Sequence, residues 1–459
     1  MAKDSNVTVV VVPFLAQGHL GPLLHLSRLI SSYDIPVHYV STTTHIRQAS
    51  SRHQGWDLLA HKNIHVHEFP IPAFHCPAPD PNAKIKFPTQ LQPAFEASIH
   101  LREPVCKLLN SLSAIARRVV IIHDHIMASV VQDFVSLPNA ESYFLQTTGA
   151  FFLHSFYWDS MGRPSSADDD MLQQLPSTEG CFSPESMAFW KKQQIHFKNS
   201  SGELYNTSRA IEGHSFDLLQ KLQVDKKLWA IGPFNPVDII EKPDQQRHEC
   251  LKWLDNQASN SVIYVSFGTT TSVSDEQIHA IAVGLENSGQ KFIWVLRDAD
   301  KGDIFTGDVR KSELPMGYED RILEAGQGLI VRGWAPQLEI LAHTSTGGFM
   351  SHCGWSSCLE SMSMGVPIAT WPMHSDQPRN AVLITKVLKL GIVVKDWIPG
   401  NDLVESVHIE NAVKKLIASK EGDEIRKRAA ELRNDMKKSV GEGGVSRLEL
   451  DSFIDHITR

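Results

Sequence analysis

The sequence predicts an α/β protein made of two Rossmann-like halves that face each other across a cleft. Three observations carry this. Runs rich in β-branched and aromatic residues alternate with segments of helical spacing. The alternation comes as two successive series, one starting at Val7 and one at Ser261. Between them lies GPFNPVDIIEKPDQQRHE, Gly232–Glu249, which is Pro-bearing, charged and weakly periodic, as a linker should be.

The elements follow in order. Val7–Val12 is a β-branched run, followed by the turn PFLAQGHLGP and a helical pattern over Leu23–Ile30. Val37–Val40 and Ile64–Phe69 read as strands. Val119–Ile122 is a buried strand ending at His123-Asp124-His125, and the two histidines should point to the side opposite Asp124. Ser142–Leu145 is another strand, leading to an aromatic-rich helix near Phe151–Trp158. Residues 160–185 are polar and read as a surface loop. The second series opens with SVIYVSF, Ser261–Phe267, and a helix capped by Ser274 or Asp275 that runs to Ser288. Phe292–Leu296, Gly328–Arg332, Gly347–Ser351 and Pro367–Trp371 are its further strands, with a helix near Ser356. Ile425–Ile457 has helical spacing broken by Gly and Glu at 441–444.

Composition narrows the class. The 459 residues suit two or three domains, and 42% apolar with 21% charged residues is ordinary for a globular protein. A formal charge of −8 argues against nucleic-acid binding and against a polybasic membrane anchor. No secretory signal and no run of membrane-spanning length is visible, so a cytoplasmic protein is expected. Six cysteines without a CxxC pair read as reduced thiols, and Cys353 and Cys358 as packing at a helix start rather than as metal ligands. A monomer is expected.

The most informative segment is Trp334–Gln377, WAPQLEILAHTSTGGFMSHCGWSSCLESMSMGVPIATWPMHSDQ. It joins an aromatic plate, carboxylates, histidines and a glycine-bearing turn that opens a helix. A Trp face can stack on a planar base. A carboxylate can accept both hydroxyls of a ribose, and backbone N–H groups at a helix start attract phosphate. This segment resembles the donor-binding signature of plant family 1 UDP-glycosyltransferases over its full length. The resemblance implies a GT-B fold. It also implies an acceptor-binding half at 1–235, a linker at 236–250, a UDP-sugar-binding half at 251–440, and a final helix at 441–459 that returns to the first half. Carried over by position, Trp334 would stack on uracil and the Ala335 backbone would pair with its edge. Gln337 and Glu360 would reach the ribose. His352, Ser357 and the amides near Gly354 would hold phosphate. Trp355 would contact the sugar, and Asp376 and Gln377 its hydroxyls, with the final Gln favouring UDP-glucose. Gly268, Thr269 and Thr147 join the donor set from loops after strands. Ser356 stands where the family usually has Asn, which weakens a direct contact there. UDP-glucose is then a co-substrate, and no cofactor is expected.

Transfer to a hydroxyl needs a base, and His has a suitable pKa. The resembled family uses a His and an Asp where this chain has His19, in AQGHL, and Asp124. A carboxylate behind the imidazole would fix its tautomer, and displacement would invert the anomeric centre. Gly21 replaces the Asn common in the family's motif and should loosen the loop. His25 reads as structural. Asp298-Ala299-Asp300 and Asp168-Asp169-Asp170 are DxD-like but sit in polar, surface-like loops, so no metal is expected.

The acceptor pocket should come from the first half. Phe14, Gln17, Phe74, Phe87, Phe152, Phe182 and Phe189 are candidates, with His374 as an acceptor or sugar contact; each aromatic could equally be core. THIRQA (44–49), IIHDHIMASVVQD (121–133), VLRDADKGDIF (295–305) and residues 373–397 are similar to zeatin O-glucosyltransferases. This implies a zeatin-like cytokinin as acceptor, with a flavonoid or other phenol as competitor and C-glucosylation of a phenol ring as a third reading. A dinucleotide oxidoreductase lacks its GxGxxG in the first loop. A non-catalytic nucleotide-sugar binder should have lost His19 or Asp124, and neither is lost.

Overall fold

The computed structural model describes residues 6–52, 62–164, 170–239, 247–306, 310–397 and 403–459. Its first sheet contains β1 (Val7–Val12), β2 (Val37–Thr42), β3 (Ile64–Phe69), β4 (Arg118–Asp124), β5 (Ala140–Gln146), β6 (Gly202–Tyr205) and β7 (Lys227–Ala230), in the order β3-β2-β1-β4-β5-β6-β7. The second contains β8 (Val262–Ser266), β9 (Lys291–Val295), β10 (Gly328–Val331), β11 (Thr346–Ser351), β12 (Ile368–Thr370) and β13 (Gly391–Val393), in the order β10-β9-β8-β11-β12-β13. Every pairing between neighbours is parallel.

The continuous apolar character of β1 follows from this architecture. A parallel sheet is covered on both faces, so its strands have no solvent side. Val9 and Val11 pack with Leu20 and Leu23 on one face, while Val10 and Val12 pack with Leu101 and Val105 on the other. Register then positions chemistry. Val12 lies beside His123, so the chain leaving β1 runs next to the end of β4. Ser266 lies beside Ser351, so the loops after β8 and β11 are also neighbours. Both are points where strand order reverses, the usual place for ligands in such sheets.

The two halves share an apolar cluster. Phe151, Trp158 and Ile211 of the first half pack with Cys353, Trp355, Leu359 and Ile384 of the second. The helix Val445–Thr458 lies against the first sheet, with Phe453 edge-on to Tyr143 and Trp229. No helix among the described residues is long and apolar enough to cross a membrane.

Some expectations change. β6, β7 and β13 are only 4, 4 and 3 residues long, too short to stand out as runs. The expected surface loop at 160–185 buries Leu172, Leu175 and Cys181. Of the linker expected at 236–250, residues 240–246 lie outside the described residues, and Glu249 and Cys250 already belong to the helix Glu249–Leu254. Asp168 and Asp169 also lie outside the described residues.

Candidate active site

His19 is not in a loop. The helix begins earlier than its apolar spacing suggests, at Gln17, and His19 sits in its first turn. Gly21 is also helical and faces open space, so it leaves room rather than loosening a loop. The imidazole Nδ1–H of His19 donates to Asp124 Oδ2 at 2.6 Å, which leaves Nε2 for the cavity. Thr147 Oγ1 lies 3.2 Å from the same Nδ1, and Phe14 packs edge-on against the ring. Asp124 is fully buried at the end of β4, and its other oxygen accepts the Ile126 N–H at 3.1 Å. Burial raises the Asp124 carboxyl pKa. The His19 charge and the hydrogen bonds from His125 and His19 outweigh that and hold it well below the usual range.

The flanking histidines separate. His123 is buried away from the cavity, with Nδ1–H donating to the Asp124 carbonyl at 2.8 Å. His125 departs from the expected opposite side. The chain turns into a 3₁₀ turn at His125–Met127, which brings His125 Nδ1 within 3.2 Å of Asp124 Oδ1 and onto the cavity wall. His25, expected to be structural, also borders the cavity, and burial together with the Arg28 charge lowers it to about 4.

A cavity of about 420 Å³ extends from this dyad between the two sheets, a size suited to small ligands. Its second-half wall is the loop from β11 into the helix Trp355–Met364. The Cys358 N–H returns to the Gly354 carbonyl, so the amides of Trp355, Ser356 and Ser357 precede the first helical bond and are free to hold an anion. His352 is wedged between two glycines. A Cβ added at Gly268 or at Gly354 would lie 2.6 Å from His352 Nε2, and Gly268 also has φ +78. Burial lowers His352 to about 4, so at neutral pH it offers a neutral imidazole rather than a charge.

Trp355 lines the cavity, and its indole N–H donates to the Asn206 carbonyl at 2.8 Å while its ring packs in the apolar cluster shared by the halves. Ser356 Oγ donates to the Gly18 carbonyl at 3.4 Å, a contact between halves. Trp334 and Ala335 line the cavity beyond β10. Gln337 Nε2 donates to Glu360 at 2.7 Å and to Ser357 Oγ at 3.1 Å. Burial raises Glu360 to about 7, against the lowering effect of that Gln337 bond. Burial raises Asp376 to about 6, although Asn380 donates to it at 2.8 Å. Gln377 Oε1 accepts the N–H groups of Met373 and His374, so this carboxamide braces the turn it ends. Thr269 lines the cavity, and its carbonyl accepts the Asp300 N–H.

The first-half side of the cavity is aromatic. Phe14, Gln17, Phe87, Phe152, Phe182 and Phe189 all line it. His374 stands at the junction, edge-on to Phe87, with Nε2 2.9 Å from Thr271 Oγ1. Burial, reinforced by the His352 charge, lowers His374 to about 3. Phe74 lies elsewhere, packed with Cys76 against Gly302. Sequence reasoning missed Phe95, Phe156 and Trp190, which complete the wall. Phe156 sits four residues after Phe152 on one helix, a spacing that could have revealed it. It also missed Glu212, whose buried carboxylate accepts the N–H groups of Ala150 and Phe151 and the Thr207 hydroxyl.

Asp298 and Asp300 are buried rather than surface-like. Ser272 donates to Asp298, while Arg52 and Arg297 pair with Asp300. No group of three metal-binding side chains occurs among the described residues. Cys353 and Cys358 are buried in the apolar cluster.

Comparisons with known proteins agree with this layout. The family model described as glycosyltransferase, N-terminal domain, matches residues 5–236, and that described as UDP-glucoronosyl and UDP-glucosyl transferase matches residues 235–436. Zeatin O-glucosyltransferase of Phaseolus lunatus is 55% identical over 459 residues, covering 99% of this chain and 98% of that protein. Zeatin O-xylosyltransferase of Phaseolus vulgaris is 54% identical and covers 99% of each. Among solved structures, a UGT of Medicago truncatula complexed with UDP-glucose aligns with a TM-score of 0.77 at 26% identity, covering 100% of both chains. A Phytolacca americana UGT complexed with UDP-2fluoro-glucose and pterostilbene gives 0.77 at 26% identity, covering 99% of this chain and 100% of that one. The chain belongs to the UDP-glycosyltransferase family, and it is a GT-B enzyme that transfers a sugar from a UDP-sugar to a small-molecule acceptor.

Proposed function

We propose that this enzyme transfers glucose from UDP-glucose to the side-chain hydroxyl of a zeatin-like cytokinin, inverting the anomeric carbon. The observation that carries this is the His19–Asp124 pair, set between an aromatic chamber in the first half and a helix start in the second. The acceptor oxygen attacks the sugar C1 on the face opposite UDP. The new C–O bond forms as the bond to the diphosphate breaks, and UDP leaves with that electron pair. His19 Nε2 takes the hydroxyl proton, Asp124 stabilises the imidazolium, and the proton then passes to solvent. Trp334 stacks on uracil, Glu360 and Gln337 take the ribose, and the free amides at 355–357 with His352 take the diphosphate, so no metal is needed. Asp376 takes sugar hydroxyls while Gln377 shapes the turn that presents it. The first half, to residue 235, supplies the acceptor wall and the base. The second, from 251 to 440, supplies the donor site. The enzyme acts as a cytoplasmic monomer.

The relatives named for zeatin supply the acceptor class, and the aromatic wall suits a planar purine. UDP-xylose is the second reading for the donor, because the xylosyltransferase relative is 54% identical and the glucosyltransferase 55%. The test is an endpoint assay with UDP-glucose or UDP-xylose against trans- and cis-zeatin, flavones, flavonols and phloretin-like polyphenols, read by fragmentation mass spectrometry. Whole-hexose loss from a zeatin product supports the reading. Pentose transfer replaces the donor. A flavonoid product, or cross-ring fragments without hexose loss, overturns the acceptor or the attacked atom.

A further inference from the structure

We propose that Arg52 and Asp300 form a latch between the halves, a positioning pair that closes the nucleobase end of the cleft over Trp334. The inference rests on the reading of Trp334 as the plate under the donor base. Arg52 ends the helix Thr43–Ser51 of the first half. Its guanidinium grips Asp300 of the second half in a two-pronged pair, Nη1 to Oδ2 at 2.5 Å and Nη2 to Oδ1 at 3.0 Å. Both side chains are buried, at 7% and 6% exposure. The same guanidinium lies 4.9 Å from the Trp334 ring centre. Gln90 of the first half adds a neutral strap, donating to the Thr270 carbonyl at 2.9 Å and the Asp300 carbonyl at 3.3 Å. Arg52, Trp334, Thr270 and Arg297 all border the cavity.

Two asymmetries make this a latch rather than general glue. One side of the interface is mostly dry and is pinned by one buried ion pair, Arg379 of the second half to Asp159 of the first. Phe151, Trp158, Trp355 and Leu359 pack there, and separating them would expose apolar area. The Arg52 side is held by hydrogen bonds and an ion pair, groups that water can satisfy when they separate. Opening should therefore occur at Arg52, with the dry side as hinge. The second asymmetry is in the pair itself. When the halves part, Asp300 keeps Arg297, its ion-pair partner three residues away. The open form is therefore not penalised by an orphaned buried carboxylate. A donor that binds the closed form better draws the latch shut by its differential affinity.

The test uses the full-length enzyme with Arg52→Met, Asp300→Asn and the double variant. Steady-state kinetics in donor and acceptor, thermal melting and small-angle scattering are the readouts. The expected result is a donor KM raised roughly tenfold in each single variant, in the usual range for coupling between sites. kcat and acceptor KM stay within about threefold, and scattering shows a larger radius of gyration without donor. Asp300→Asn should be the more damaging, because it leaves Arg52 and Arg297 without their charge partner. The double variant should be no worse than Asp300→Asn alone. Unchanged donor KM in the folded single variants, additive effects, or a loss confined to kcat would each overturn the latch. If Asp300→Asn does not fold, Gln90→Met must give the same donor-KM signature at smaller size, and a null effect there overturns the proposal. Trp334→Ala separates the two readings. An unchanged donor KM in that variant sinks the stacking role, while the scattering change in Arg52→Met still reports the latch.

Discussion

Asp124→Asn is the sharpest test of the catalytic pair, because it keeps the size of the side chain while removing its charge and turning one acceptor into a donor. In the wild type one carboxylate oxygen accepts the Ile126 N–H at 3.1 Å and the other accepts His19 Nδ1–H at 2.6 Å. An asparagine has one oxygen for these two donors. The Ile126 N–H is a fixed backbone donor in a buried place, and leaving it unpaired costs about 1–3 kcal/mol. The oxygen therefore goes to Ile126 and the NH₂ faces His19. His19 Nδ1 must then accept, its proton moves to Nε2, and the nitrogen that faces the acceptor can no longer take a proton. A wrong tautomer of this kind lowers turnover by about 10⁴ in a serine protease triad. The expected loss here is about 10³–10⁴ in kcat, roughly 4–5 kcal/mol of transition-state stabilisation. Initial rates with saturating donor and acceptor measure it, and UDP binding by calorimetry should stay within about threefold. Asp124→Ala removes the NH₂ and frees the tautomer, so it should lose no more than Asp124→Asn despite removing more atoms. Turnover of Asp124→Asn within tenfold of wild type would refute the reasoning.

Further outcomes follow from three other residues, Glu360, Gly354 and Glu212. Glu360 is held near 7 by burial, and only its ionised form accepts both ribose hydroxyls, so donor KM should fall as pH rises from about 6 to 8. Glu360→Gln should flatten that profile, and a profile unchanged in the variant rejects the assignment. The same raised pKa gives a sign for stability: the folded protein holds this proton more tightly than the unfolded chain, whose carboxyl titrates near ~4.3. The Glu360 contribution is thus most favourable below ~4.3 and is lost as pH rises through about 7, which thermal melts of wild type against Glu360→Gln would show. Gly354→Ala places a Cβ 2.6 Å from His352 Nε2, so the imidazole must move. Donor KM should rise about tenfold or more with melting temperature nearly unchanged, in the usual range for a lost ligand contact, and a retained KM would show that His352 does not face the donor. Glu212→Ala strips acceptors from two buried N–H groups and the Thr207 hydroxyl. It should destabilise the fold by about 3 kcal/mol or more, read by denaturant melts, and a loss under about 1 kcal/mol would deny the carboxylate its structural role.

What the sequence could show depended on whether a residue's meaning is local. β1 is legible because a strand buried on both faces is apolar throughout, and Ser274 because its side chain caps its own helix by accepting from Gln277 N. The loop from β11 into the helix Trp355–Met364 is legible because its free amides, glycines and His352 are close in the chain. The reading of Asp300 failed for the opposite reason. A DxD next to a strand looks solvated until Arg52, 248 residues away in the chain, is brought beside it. His125 failed through backbone geometry: alternation along a strand assigns sides only while the strand continues, and β4 ends at Asp124.

The turn that carries His19 shows how such non-local contacts serve the chemistry. Pro22 lies inside the first helix and has no N–H, so the carbonyl four residues back, on Gly18, has no helical partner. That carbonyl is the one the Ser356 hydroxyl reaches from the other half. Ser356 belongs to the same first turn as the amides proposed to hold the diphosphate. One contact therefore ties the turn that carries His19 to the turn proposed to hold the diphosphate. A serine here is better suited than a longer side chain, because its hydroxyl ends at the protein backbone instead of extending into the sugar's space. The replacement that looked in the sequence like a weakened donor contact thus sits at a joint between the two halves.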